Sequence, residues 1–206
     1  MKLYTAYRAP NPRRVLMFMH EKGITGIESV SVDLNKDEHK STAFRAKNPV
    51  ARVPVLELDD GRELSESRAI CTYLEGRYPD HNLMGADATE RAFIEMHDRH
   101  VEWNWMLLIA NCVRHTHPGL ATLEVPQFPE FGRTQGEKVR QSARWLDQAL
   151  SRQPWVAGER FTIADITAFC AIEFAKLMKF NAGAEGFAAL QAWRDRVAER
   201  PSSRAM

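Results

Sequence analysis

Up to residue 80 the apolar positions come in short runs whose spacing alternates between the two-residue period of a strand and the helical period of about 3.6. Lys2–Thr5 reads as a brief strand. Pro12 then opens an amphipathic helix through Lys22, with Val15, Leu16, Phe18 and Met19 as its apolar stripe and Gly23 as its stop. Proline suits a first helical turn because its missing N–H would have no partner there. Ile27–Val32 alternates as a second strand, Asp33–Ser41 is polar, and Thr42–Ala46 is a short helix. Val53 to Leu64 patterns as a hairpin turning at Asp60-Gly61, a dipeptide suited to tight strand reversal. Ser65–Tyr78 is helical again, with Ile70, Tyr73 and Leu74 on one side. A βαβ unit followed by ββα predicts a small mixed sheet with helices packed on it.

Beyond Pro79–Ala88, a stretch of turn formers, the pattern is helical almost to the end. Asp87 or Thr89 caps a long helix to about His115. Pro118–Gly132 interrupts, and Gln135–Gln153 is a second long amphipathic helix. Thr162 followed three residues later by Asp165 is a capping box with Asp in place of the usual Glu, and Phe161 and Ile166 are placed as a hydrophobic staple. A buried helix through Met178 comes next, and the last runs from Phe187 to Arg200, stopped by Pro201. The expected domains are therefore 1–80 (α/β) and 89–206 (all-helical), with 81–88 as linker.

Composition narrows the functional classes. The 28 Lys and Arg residues against 27 Asp and Glu give a net charge of +1, which argues against a nucleic-acid binder working through bulk positive potential. With 44% hydrophobic and 27% charged residues the chain can bury a core. No apolar run approaches the ~18 residues of a membrane span, and the N-terminus lacks the pattern of a secretory signal. Cys71, Cys112 and Cys170 are far apart, without metal-ligand spacing. A cytoplasmic protein with no metal, no membrane and no nucleic-acid partner is expected.

Three motifs in register carry a resemblance: Asn48-Pro49 through Val53-Pro54-Val55-Leu56, the helix start Glu66-Ser67-Arg68-Ala69-Ile70, and the box Gly158-Glu159-Arg160-Phe161-Thr162-Ile163-Ala164-Asp165. Together they resemble the cytosolic glutathione S-transferase family over essentially the whole chain. The Ala9-Pro10-Asn11-Pro12-Arg13-Arg14-Val15 opening and Asp37-Glu38-His39-Lys40 resemble a fungal and bacterial branch with an atypical activating residue. The fold this implies is an α/β thioredoxin-like N-terminal domain that binds glutathione, plus an all-α C-terminal helical bundle that meets the acceptor substrate.

Glutathione is an anionic, peptide-like ligand, and an extended peptide is well held by free backbone N–H and C=O groups. The resemblance implies a cis-proline at Pro54 that leaves the Val53 backbone free for the ligand; sequence by itself would read a trans proline starting a strand. Glu66 and Ser67 open a helix whose unpaired N–H groups and dipole attract a carboxylate. The resemblance implies that Ser67 bonds the γ-glutamyl carboxylate and Glu66 the ligand ammonium. The same residues also read as an ordinary cap, with Ser65 as the capping residue. Lys40, with His39, is implied for the glycine carboxylate, and Arg52 adds positive charge beside the proline loop.

The nucleophile is the glutathione thiolate, and a free thiol has a pKa of about 8.5. The usual serine-type activating position falls at or near Pro10, which has no donor. Tyr7, close to the tyrosine-type position, and Asn11, through side chain or backbone, are the catalytic candidates of the first domain. In the long helix His97, His100, Asn104, Asn111 and His115 fall within an arc of about 60° at helical spacing. This stripe reads either as a solvated or dimer-facing edge or as an active-site wall. In the latter reading His100 and Asn104 are catalytic, while Asn111 and His115, with Trp105, line the acceptor pocket. Two or three hydrogen bonds to the thiolate suffice to lower its pKa by a unit or two.

The expected function is conjugation of the glutathione thiolate, as co-substrate, to small hydrophobic electrophiles, by a homodimer. The alternatives are a non-catalytic glutathione-binding or protein-interaction relative and a glutathione-dependent peroxidase or isomerase on the same site.

Overall fold

The computed structural model describes residues 1–7 and 9–205, and the chain divides into two compact units. The first comprises Met1–Asn82 together with the segment from Pro201 onward; the second is Leu83–Arg200.

The first unit begins with β1 (Lys2–Thr5), α1 (Pro10–Glu21) and β2 (Glu28–Ser31). Two single 3-10 turns, Leu34–Lys36 and Glu38–Lys40, lead to α2 (Thr42–Lys47), the hairpin β3 (Val55–Glu57) and β4 (Glu63–Ser65), and α3 (Ser67–Arg77). The strands form one mixed sheet in the order β2-β1-β3-β4. β1 and β2 run parallel with Tyr4 opposite Val30, as a βαβ crossover requires; β3 is antiparallel to both neighbours, with Leu56 between Leu3 and Leu64. Leu3, Val15, Phe18, Val55, Leu56, Ile70 and Leu74 are fully buried, so α1 and α3 pack on the sheet through the apolar stripes visible in their sequences.

Two polar anchors fix this packing. Lys22, whose side chain is fully buried, pairs with Glu75 at 2.8 Å and donates to the carbonyls of Asp80 and His81. It thereby joins the end of α1 to α3 and to the chain beyond it. The 3-10 turn Pro201–Arg204 returns to α1: Arg13 Nη2 donates to the Ser203 carbonyl at 2.7 Å, and the Ser202 hydroxyl donates to Glu21.

The second unit contains α4 (Ala88–Val101), α5 (Leu107–Thr116), α6 (Pro129–Leu150), α7 (Ile163–Ala175) and α8 (Ala188–Ala198). Asp87 is the cap of α4, its Oδ1 accepting from the N–H groups of Thr89 and Glu90, so the capping residue is Asp87 and not Thr89. α7 is apolar around nearly its whole circumference and accordingly lies in the centre of the bundle. Its capping box forms as the sequence reads: Thr162 Oγ1 accepts from Ala164 N–H, and Asp165 Oδ2 accepts from Thr162 N–H at 3.0 Å.

Several boundaries differ from the sequence expectation. α1 starts at Pro10 rather than Pro12, and Asn11 therefore lies in the first turn. α6 starts at Pro129 rather than Gln135, because Pro129 takes the first helical position and Gly132 and Gly136 continue the helix where it passes closest to α5. The single long helix expected to His115 is interrupted by a π turn over Glu102–Met106. Among the described residues no helix is long and apolar enough to cross a membrane.

Candidate active site

The loop before β3 is organised by Asn48, a buried side chain. Its Nδ2 donates to the Arg52 carbonyl at 2.8 Å, its Oδ1 accepts from Val50 N–H, and its own carbonyl accepts from Ala51 N–H. These bonds hold Ala51 at a positive φ of 55° and deliver the chain to the Val53–Pro54 bond, which is cis. Pairing with β1 ends at Val55, so the Val53 backbone lies beyond the ladder. The Val53 side chain packs on the cluster of Val32, Phe44 and Val55, while Arg52 is exposed.

Next along the chain, α3 opens without an ordinary cap. Its N-cap is Glu66, at φ 69° and ψ 113°, and no side chain accepts from the first-turn N–H groups there. Ser65, the alternative cap, is the last residue of β4. A non-glycine residue held in such a conformation costs of order 1–3 kcal/mol and persists where the surroundings impose it. The result is an exposed Glu66 carboxylate beside the positive, N-terminal end of a helix dipole. Ser67, the first helical residue, is 4% exposed, and its Oγ accepts from Arg14 Nη1 at 3.0 Å.

Sequence reasoning misses Arg14. It occupies the inward face of α1 beside Val15 and one turn before Phe18, a charged residue inside an apolar stripe, and that spacing is the signal that could have found it. Asn48 stands in a motif, but its role depends on main-chain partners that spacing does not reveal.

Lys40 ends a 3-10 turn, with Nζ 2.8 Å from Asp37 Oδ1. The hydrogen bond to Lys40 holds the Asp37 carboxyl below its ordinary range. His39 is buried beside it, and burial, reinforced by the Lys40 charge, pushes its imidazole pKa down, so it is neutral at pH 7. Tyr7, 61% exposed, comes just after β1, and Asn11 is exposed in the first turn of α1, between Pro10 and Pro12, which have no N–H to donate.

The polar stripe of the second unit lies on α4, the π turn and α5, and part of it faces α6. His100 and Asn104 line a groove of about 390 Å³ with Gln141, Ser142 and Trp145. Asn104 Nδ2 donates to the His100 carbonyl at 3.1 Å, and the His100 ring meets Trp145 edge-on at 6.0 Å. Burial, and the neighbouring His100, lower the pKa of His97. Asn111 is half-buried on α5.

Two of the expected pocket residues are used otherwise. His115 Nδ1 accepts from Phe128 N–H at 3.1 Å, and its ring contacts Phe131 edge-on at 5.1 Å. It therefore pins the loop before α6. Trp105 is fully buried and packs edge-on against Phe180, so it is core rather than pocket wall; the exposed tryptophan of that turn is Trp103. The extra residue of the π turn rotates the remainder of the helix by about 100°, which no straight-helix projection anticipates.

A mixed four-stranded sheet in the order β2-β1-β3-β4 with helices packed on it, joined to an all-helical unit, defines the architectural class of the chain. The chain matches the family model of the glutathione S-transferase N-terminal domain over residues 3–82 and that of the C-terminal domain over 126–201. It is 34% identical to glutathione S-transferase 2 of Saccharomyces cerevisiae, covering 98% of this chain and 87% of that one. The crystal structure of Gtt2 from the same yeast superposes with a TM-score of 0.92 at 34% identity over 98% of both chains. A glutathione S-transferase domain-containing protein of Marinobacter aquaeolei superposes at 0.93 with 41% identity, over 98% of this chain and 99% of that one. The chain belongs to the glutathione S-transferase family.

Proposed function

We propose that this protein transfers the glutathione thiolate to small hydrophobic electrophiles as a cytoplasmic, detoxifying homodimer, with glutathione held by the first unit. The observation that carries the proposal is the opening of α3. There Glu66, at positive φ, and a buried Ser67 flank the N-terminus of an eleven-residue helix. That combination suits the free α-amino acid end of glutathione: donors and a positive dipole end for its carboxylate, a carboxylate for its ammonium. The Val53 main chain, beyond the ladder, pairs with the cysteinyl backbone, and Lys40 takes the glycine carboxylate, exchanging Asp37 for the ligand. Arg52 contributes positive charge at that end.

Thiol activation is assigned to one of two sets of donors: Tyr7 and the first-turn Asn11 of the first unit, or His100 and Asn104 of the second. Asn111 contributes to acceptor contacts. Each activating group works by donating to sulfur in its ionised form, which lowers the thiol pKa.

The deciding experiment tracks the ultraviolet absorbance of the thiolate of enzyme-bound glutathione against pH. The expected midpoint lies one to two units below the free value of about 8.5. Loss of that depression in Tyr7→Phe assigns activation to the first unit, and loss in Asn104→Ala assigns it to the second. A bound thiol that titrates as in water removes the transferase proposal and leaves a carrier or interaction protein.

A further inference from the structure

We propose that Arg14 is a positioning residue for the glutathione site, fixing the Ser67 hydroxyl as a donor toward the ligand's γ-glutamyl carboxylate; this rests on the assignment of Ser67 under Proposed function. Arg14 is 1% exposed on α1, and its Nη1 lies 3.0 Å from Ser67 Oγ. The direction of that bond is not open to choice. A guanidinium has only donors, whereas a serine hydroxyl has one donor and two acceptor lone pairs. Arg14 therefore occupies a lone pair of Oγ and leaves the hydroxyl hydrogen for another acceptor. A carboxylate at the start of α3 is acceptor-only and lies where the helix N–H groups also point.

Two further effects act in the same sense. A charged donor on Oγ polarises the O–H bond, and bonds in such a chain strengthen one another. The guanidinium also adds positive charge behind the helix start. Lysine would supply neither the planar fork nor an assured charge in that position. A buried arginine is costly to retain for packing alone, since an apolar side chain of similar volume would fill α1 at less cost.

The test compares two tripeptides by isothermal titration: glutathione and γ-aminobutyryl-cysteinylglycine, which is the same molecule without the α-carboxylate. The wild-type protein should bind glutathione more tightly than the truncated peptide. Arg14→Met should raise the glutathione dissociation constant about tenfold while leaving that of the truncated peptide unchanged. Ser67→Ala should erase the same discrimination, and the double variant should lose no more than either single one. In turnover, Arg14→Met should raise KM for glutathione and leave kcat near the wild-type value.

Should Arg14→Met not fold, Arg14→Lys carries the test, with a partial loss confined to the peptide that has the carboxylate. Equal weakening of both peptides in the Arg14 variants would overturn the proposal, because a purely structural arginine has no reason to distinguish them. Wild-type protein that binds both peptides equally removes the Ser67 assignment and this proposal with it. Wild-type protein that binds neither removes the glutathione reading itself.

Discussion

At the scale of single residues, Asp165 shows what a spacing motif reveals and what it hides. The Thr162–Asp165 interval announces a capping box, and the box is present. The spacing does not show that Asp165 is fully buried, or that Oδ1 also accepts from Val156 N–H and from Trp193 Nε1, each at 2.9 Å. The Trp193 partner comes from α8, 28 positions away. Burial pushes the Asp165 pKa up from 3.8 to about 6, against four donors that favour its charged form. The folded state thus holds this proton more tightly than the unfolded one. Stability from this group is fully present below about pH 3.8 and falls as pH rises through about 6. At ~1.4 kcal/mol per pH unit the loss is roughly 3 kcal/mol. Asp165→Asn turns an amide donor toward N–H groups and should be less stable at every pH, by about 1–3 kcal/mol at neutrality. Denaturant melts from pH 4 to 7 should show the gap between wild type and variant narrowing as pH rises, since only the wild type titrates. A constant gap would mean that Asp165 ionises in the ordinary carboxylate range.

Glu66 belongs to the same scale. Its identity and neighbourhood are legible in the sequence, but its left-handed backbone is not, since nothing in Leu64-Ser65-Glu66-Ser67 demands it. The conformation is imposed by joining β4 directly to α3.

Among elements, helix periodicity locates the long helices, and it misplaces their ends wherever proline and glycine read as loop. α6 illustrates the reason. Pro129 opens it, and Gly132 and Gly136 lie inside it because α5 passes too close for side chains. A Cβ on Gly132 would come within 2.6 Å of Thr116 Cγ2 and 3.2 Å of the Cys112 carbonyl. Alanine is the better helix former by about 1 kcal/mol, so propensity predicts that Gly132→Ala stabilises. The contact predicts the reverse. A net loss of about 1–3 kcal/mol in chemical denaturation is expected, and a gain would show that α5 can yield. The π turn at Glu102–Met106 lies outside any reading that assumes one angular step per residue.

Over the whole molecule, the chain does not divide at one point: the first unit takes back the segment from Pro201 onward. Ser202 and Ser203 are buried there, and the bonds from Arg13 and to Glu21 fasten this turn to α1. A chain ended at Arg200 should lose about 1–3 kcal/mol of stability in the first unit. Hydrogen exchange should show it as faster exchange of α1 amides. Unchanged protection in α1 would show that the turn is dispensable.

What the sequence by itself determined is local and periodic: the order of strands and helices, the hairpin at Asp60-Gly61, the Thr162–Asp165 box, and the motifs around Pro54 and Ser67 that carry the resemblance to glutathione S-transferases. Those features are written in neighbouring residues, because turns, caps and amphipathic stripes are decided within a few positions of one another. Only the tertiary structure decided that Trp105 is core, that His115 holds a loop, that Glu66 rather than Ser65 opens α3, and that Arg14 reaches Ser67. Each of these depends on which distant backbone or side chain arrives alongside, and a buried polar atom takes its role from the partner packing brings to it.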